Sequence, residues 1–253
     1  MSGRCETFRT RLLERATLAG TFLKTPSPII AEVLGLSALD VVCIDAEHAP
    51  FGRLETDSVV AALRAADMPS LVRIGSDSPA DIRNALDAGA SGIVVPHVTS
   101  AVQAARIVKA TRFGEGGRGF AGSPRAARYA TKAMQDHLAD SAKHTSVVVQ
   151  IEDLAALPEV ADIAAVDGVD ALFIGRTDLA VAMGKTAGDD AVADTVGDIC
   201  DTAARAGATV GMFTPNTDEI PRWIKAGASL FLLSSDQSFI LGGAARLVSS
   251  VKT

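Results

Sequence analysis

Eight short apolar runs, each followed by a stretch of helical periodicity, constrain this 253-residue chain more than any other feature. The runs fall at residues 20–24, 41–45, 70–73, 92–96, 147–151, 170–175, 209–213 and 230–233. They are near-continuous rather than alternating, as strands buried on both faces are. Between them, apolar residues recur at three- and four-residue spacing over 27–36, 53–66, 78–88, 99–111, 153–166, 190–206, 217–226 and 236–250. Three of these helices end in similar phrases: Asp87-Ala88-Gly89-Ala90, Arg205-Ala206-Gly207-Ala208 and Lys225-Ala226-Gly227-Ala228. A glycine just past the last helical turn can take the left-handed conformation and steer the chain into the next strand. Eight such units in about 250 residues match an α/β fold of the (β/α)8 TIM-barrel kind. A doubly wound open sheet would use the same units, but no linker or composition break divides the chain. One domain over residues 1–253 is the expectation.

One segment departs from the alternation. Residues 112–146 separate the fourth helix from the fifth strand and contain Gly114-Glu115-Gly116-Gly117-Arg118-Gly119-Phe120-Ala121-Gly122. The glycines match neither a Walker pattern nor a dinucleotide fingerprint. A long functional loop is expected here, with residues 118–122 passing near the active face; a merely mobile loop is the alternative.

Composition excludes several classes of partner. A formal charge of −6 argues against nucleic acid and against an anionic membrane. No apolar run approaches the roughly 18 residues of a membrane span, and the charged N-terminal stretch lacks the apolar core of a signal peptide. Three widely spaced cysteines, Cys5, Cys43 and Cys200, support neither a disulfide framework nor a cysteine zinc site. A reducing cytoplasm is the expected setting.

Charged residues gather where the strands end, which is costly unless chemistry requires it. Asp45, Glu47 and His48 follow the second strand, Arg73 ends the third, Glu152 follows the fifth and Asp178 the sixth. In TIM barrels the C-terminal strand ends form the active face. Gln150 and Glu152, two apart on one strand, point the same way, into the mouth. Two carboxylates from adjacent strands can hold a hard divalent ion and leave positions open for a 2-oxo acid. His48 would then act as acid/base and Arg73 would stabilise negative oxygen. His97, after the fourth strand, could line the same site, whereas His137 and His144 are expected to be exposed. Each residue also has an ordinary structural reading: Glu152, Asp153 or Asp178 as helix caps, and Asp45 with Arg73 as an ion pair.

The segments Gly20-Thr21-Phe22-Leu23-Lys24, Asp45-Ala46-Glu47-His48-Ala49-Pro50, Val95-Pro96, Arg118-Gly119-Phe120, Gln150-Ile151-Glu152 and Phe173-Ile174-Gly175-Arg176-Thr177-Asp178-Leu179 occur in that order. Together they resemble the HpcH/HpaI aldolases, the metal-dependent class II pyruvate aldolases of the phosphoenolpyruvate/pyruvate superfamily. The likeness spans roughly residues 18–245. It implies a TIM barrel that assembles as a hexamer, a trimer of dimers, with the C-terminal helix packed on a neighbouring subunit. It implies a carbon–carbon lyase that cleaves a 4-hydroxy-2-oxo acid to pyruvate and an aldehyde through a metal-stabilised enolate, with Mg²⁺, Mn²⁺ or Co²⁺. The partners implied are a small 2-oxo acid and an aldehyde. Glu152 and Asp178 become the metal ligands, His48 the acid/base, Arg73 the enolate-stabilising residue and Asp45 its orienting partner. Gln150 and the backbone amides near Thr177 and Asp178 would hold the oxo acid. Asp87 matches an aspartate that partners the histidine, a contact expected to come from an adjacent subunit.

Many family members read Gly-Pro-Ala-Asp-Leu-Ser where this chain has Gly175-Arg176-Thr177-Asp178-Leu179-Ala180, so Arg176 adds a cation beside the metal site. It could face solvent or contact an acidic substrate. The competing functions are a Schiff-base aldolase using Lys24, a citramalyl- or malyl-CoA-type lyase, and a barrel without catalysis.

Overall fold

The computed structural model describes residues 3–252. Eight parallel strands close into one barrel in sequence order: β1 (Leu18–Leu23), β2 (Val41–Asp45), β3 (Ser70–Arg73), β4 (Gly92–Val95), β5 (Ser146–Ile151), β6 (Ala171–Ile174), β7 (Thr209–Phe213) and β8 (Ala228–Ser235). The open-sheet alternative is thereby excluded, and each predicted strand is present within two residues at either end. The helices are α1 (Arg4–Leu13), α2 (Pro28–Gly35), α3 (Arg53–Ala65), α4 (Pro79–Ala88), α5 (Ala101–Thr111), α6 (Met134–His144), α7 (Val160–Ala164), α8 (Arg176–Ala182), α9 (Asp190–Arg205), α10 (Ile220–Lys225) and α11 (Asp236–Ser249).

Strand alternation sorts the core into two shells. Ile44, Val72, Val149, Ile151 and Leu172 face outward and pack under the helices. Their neighbours Val41, Cys43, Leu71, Val94, Val148, Ala171, Phe173, Leu230 and Leu232 face inward and fill the barrel. Helix α1 was not anticipated from the sequence. Its buried Phe8 and Leu12 join the inner shell and close the barrel's N-terminal end, while Thr209 Oγ1 donates to the Leu12 carbonyl at 2.8 Å. Only two of its ten residues are buried, so the apolar signal is weak.

The predicted turn phrases hold. Gly89 ends α4 at φ 94°, where a side chain would be strained, and Gly207 and Gly227 take the same region after α9 and α10. The long segment is not a structureless loop: it contains a short 3-10 turn (Arg125–Ala127) and α6. His137, expected to be exposed, is buried against Phe113 and Phe120. Among the described residues, no helix is long and apolar enough to cross a membrane.

Candidate active site

The inward alternation that builds the apolar plug continues upward into charge. Above Cys43 comes Asp45, above Leu71 comes Arg73, and above Val148 come Gln150 and Glu152. Asp45 and Arg73 are register partners across β2 and β3, which sets their side chains together. Arg73 Nε donates to Asp45 Oδ1 at 3.1 Å, and Nη2 contacts both carboxylate oxygens at 2.9 Å. Asp45 is fully buried and Arg73 7% exposed, so neither charge is tolerable without the other. Burial alone would raise the Asp45 pKa, but the Arg73 guanidinium and the His48 amide, which donates to Oδ1 at 3.1 Å, hold it below the ordinary value. Asp45 thus fixes both the arginine and the turn carrying His48, whose ring is exposed at the mouth.

Glu152 is the second anchor. It is 3% exposed, and Oε1 accepts the backbone N–H of His97 at 2.8 Å while Oε2 accepts from Gln150 Nε2. It caps no helix. Burial raises its pKa; the two donors pull it down, the Asp178 charge pushes it further up, and the net shift is upward. The β6 end makes room for it: a Cβ on Gly175 would lie 2.6 Å from Glu152 Cβ. Gly175 then opens α8, which carries Arg176, Thr177 and Asp178 in its first turn, and Asp178 is exposed to the mouth. The structure therefore gathers Asp45, His48, Arg73, Gln150, Glu152, Thr177 and Asp178 at one end of the barrel.

Phe22, Lys24, His48, Arg73, Gln150, Phe173, Gly175, Arg176, Thr177, Asp178 and Phe213 surround a cavity of ≈ 260 Å³. Phe22 forms its floor, with the Arg73 guanidinium 4.6 Å from the ring centre and Phe173 edge-on at 6.4 Å. Lys24 Nζ stands 3.4 Å from Asp45 Oδ2. A nucleophilic lysine needs an apolar or cationic surround, and a carboxylate partner is neither.

Glu47 gains a role the sequence did not assign, and His97, expected as a lining residue, gains defined partners. Glu47 Oε2 lies 3.3 Å from Arg73 Nε and is buried without a hydrogen bond. His97 Nδ1 is 3.0 Å from Asp153 Oδ2 and 3.4 Å from Glu152 Oε1, on a backbone with φ 55°. Burial acts to lower the His97 pKa, but these carboxylates raise it overall. A left-handed histidine is a signal only the coordinates reveal.

Asp87 is not brought to His48 within the chain. It sits near the C-terminal end of α4, facing Arg118 Nη1 at 3.5 Å. Residues 118–122 likewise do not approach the chain's own active face: Arg118 is drawn to the N-terminal end by Asp87 and by Ser141 of α6, whose hydroxyl accepts from Nη2 at 3.0 Å. Among the described residues, no three His, Cys, Asp or Glu side chains cluster into a ready cation cage.

Residues 18–241 match the family described as HpcH/HpaI aldolase/citrate lyase. The 5-keto-4-deoxy-D-glucarate aldolase of Salmonella arizonae is 33% identical over 248 residues, covering 97% of this chain and 96% of the relative. The hydroxypyruvate/pyruvate aldolase of Paraburkholderia phytofirmans is 33% identical over 255 residues, with 97% of each covered. An HpcH/HpaI aldolase/citrate lyase family protein from Burkholderia cenocepacia superposes with a TM-score of 0.92 at 32% identity, covering 98% of this chain and all of the other. With more than two thirds of its length matched, the chain belongs to the HpcH/HpaI aldolase/citrate lyase family.

Proposed function

We propose that this site cleaves a 4-hydroxy-2-oxo acid to pyruvate and an aldehyde, and runs the reverse aldol addition, with a divalent ion held by Glu152 and Asp178. That the chain is an aldolase-type carbon–carbon lyase rests on its family and its aldolase relatives. The residue assignment rests on one observation: a buried carboxylate and an exposed one, repelling each other, share a mouth with a fixed arginine. Oxygen donors of this kind suit Mg²⁺, Mn²⁺ or Co²⁺. The Gln150 Oε1, buried without a partner, leaves one more oxygen facing the site. When bound, the ion would supply Lewis-acid stabilisation of the 2-oxo oxygen.

The chain's own groups perform the rest. His48, exposed at the mouth, takes the proton from the C4 hydroxyl, and the bond between C3 and C4 breaks. Arg73, locked by Asp45, holds the negative charge that develops on the 2-oxo oxygen without having to reorganise. A proton returned to C3 completes pyruvate. The amides at the start of α8 and Gln150 orient the oxo acid, and Phe22, Phe173 and Phe213 keep water from its apolar side. Arg176 Nη1 is paired with Glu219 Oε2 at 2.7 Å, and the guanidinium lies 5.0 Å from the Trp223 ring. Held there on the cavity wall, it favours an aldehyde that carries a carboxylate.

Helix α11 bears exposed Ile240, Leu241 and Leu247, and only its Asp236 is buried. An apolar helix with so little cover on its own barrel suits the homo-oligomer, a hexamer with this helix on a neighbour, and Asp87 would reach His48 in such an assembly. Three free thiols agree with a cytoplasmic setting. The test is pyruvate release from a panel of 4-hydroxy-2-oxo acids with EDTA and with metal added back. Loss with chelator, recovery with Mg²⁺ or Mn²⁺, and silence of Glu152→Ala support the proposal; activity indifferent to EDTA refutes it.

A further inference from the structure

A second cavity, of ≈ 290 Å³, lies at the opposite end of the barrel from the active site. The start of α1, the C-terminal ends of α3, α4 and α6, and the segment leading into α6 enclose it. Its cations are Arg64, Arg118, Arg128 and Lys132, joined by His137 and His144. Its acids are Glu6, Asp67 and Asp140. Asp67 accepts the backbone N–H groups of Arg4 at 2.7 Å and Cys5 at 3.2 Å, and Asp140 pairs with Lys132.

Arg118 is the informative residue. It is 6% exposed and stacks 4.0 Å over Phe113, yet its Nε and Nη1 have no hydrogen-bond partner. Its nearest carboxylate, on Asp87, is 3.5 Å away. A buried guanidinium with unmet donors is costly unless a ligand meets them. The surroundings are electropositive: burial first, then Arg118 and Lys132, depress the His137 pKa, and burial with Arg125 and Arg128 depresses that of Arg64. Arg128, on the cavity wall, begins a run of three successive non-glycine residues in the left-handed region, with Tyr129 and Ala130, at φ 51°, 52° and 65°. Strain of this kind collects at ligand clamps.

We propose that this cavity binds a small multivalent oxyanion, either phosphate or a polycarboxylate, between Arg118 within and Arg64 and Arg128 at the rim. Either ligand offers several charged oxygens to meet the orphaned donors, and the planar forks of arginine match both geometries. The ligand would tie the segment before α6 to the ends of α3 and α4.

Titration calorimetry on the full-length, EDTA-treated protein at constant ionic strength tests this, with inorganic phosphate, citrate and, as monovalent control, chloride. Saturable binding of one phosphate or citrate per chain is expected, weakened about tenfold or more in Arg118→Gln and Arg128→Gln. Binding should be unchanged in Arg73→Gln, which removes an active-site cation instead. If Arg118→Gln does not fold, Arg128→Gln carries the test, since that side chain is exposed. Tighter binding of phosphate or of citrate identifies the class of ligand. No saturable binding of either, or binding lost in Arg73→Gln and kept in Arg128→Gln, overturns the proposal.

Discussion

Gly175→Ala is the smallest change that separates the chemistry from the fold. Gly175 has φ −84° and ψ 74°, so an alanine there meets no left-handed strain. The obstacle is space: the new methyl would sit 2.6 Å from Glu152 Cβ, 2.7 Å from Glu152 Oε2 and 3.1 Å from Gln150 Nε2. Carbon atoms settle at about 3.5–4.0 Å, so Glu152 and the strand end beneath it must retreat by about 1 Å. The first neighbour is a Cβ fixed to β5, and the Gly175 amide still bonds the Ile151 carbonyl at 3.0 Å, so no flexible tip can absorb the clash. Overpacking of this kind costs ~1–3 kcal/mol, which for a chain of this size lowers Tm by roughly 2–12 °C. Activity should suffer far more, because about 1 Å of misplacement at a reacting centre can cost ~100-fold.

The assay follows three quantities on the one variant: Tm, Mn²⁺ affinity and kcat for pyruvate release. The expected pattern is a folded protein, weakened Mn²⁺ binding and kcat down by about two orders of magnitude. A variant with kcat and Mn²⁺ affinity near wild type would refute the placement of Glu152 as a metal ligand, since the carboxylate cannot stay where it is. A variant that fails to fold would instead show that the β5–β6 contact is structural first.

Asp45→Asn leaves Arg73 buried with only Glu47 nearby, and should cost about 3–5 kcal/mol, read as a lower Tm. The Asp45 pKa is depressed in the folded state, so its contribution to stability is present above its ordinary value of 3.8 and lost as pH falls through the lower folded value. Denaturation of wild type and Asp45→Asn across acidic pH should show their difference shrinking only once the pH falls below 3.8; a difference that vanishes near neutrality contradicts the pairing. Glu152 shifts the other way, holding its proton to higher pH than a free glutamate, so Mn²⁺ affinity should decline on acidification with a midpoint above 4.5. A midpoint at or below that value would count against its ligand role. Arg176→Gln should lower kcat/KM about tenfold for addition of pyruvate to a carboxylated aldehyde while sparing glycolaldehyde, an effect of one charge-assisted contact; equal losses on both would remove its specificity role.

Most of the fold was legible because a TIM barrel repeats one local rule eight times, and each repeat carries its own periodicity, three of them with a turn glycine as well. What escaped was held by long-range contacts. Helix α1 contributes two buried side chains to a plug assembled from every strand, and no window of its own sequence displays that. Helix α6 has few apolar positions, and its His137 is covered by Phe113 and Phe120 from an earlier segment. The clustering of the candidate site residues at one end of the barrel was readable for the opposite reason. Strand alternation places Cys43 and Asp45, Leu71 and Arg73, and Val148 and Gln150 on the same inward face, one pleat apart. A strand that packs the plug at one end therefore aims its next inward side chain at the mouth, and a charge there is exposed to substrate rather than trapped in the core. Glu47 and His97 lie just past the strands, where alternation no longer decides direction. Their place in the site follows from the Arg73 ion pair and from the left-handed turn that presents the His97 amide to Glu152. The barrel's periodicity sets which strand ends carry charge, and the loops after them decide which charges meet.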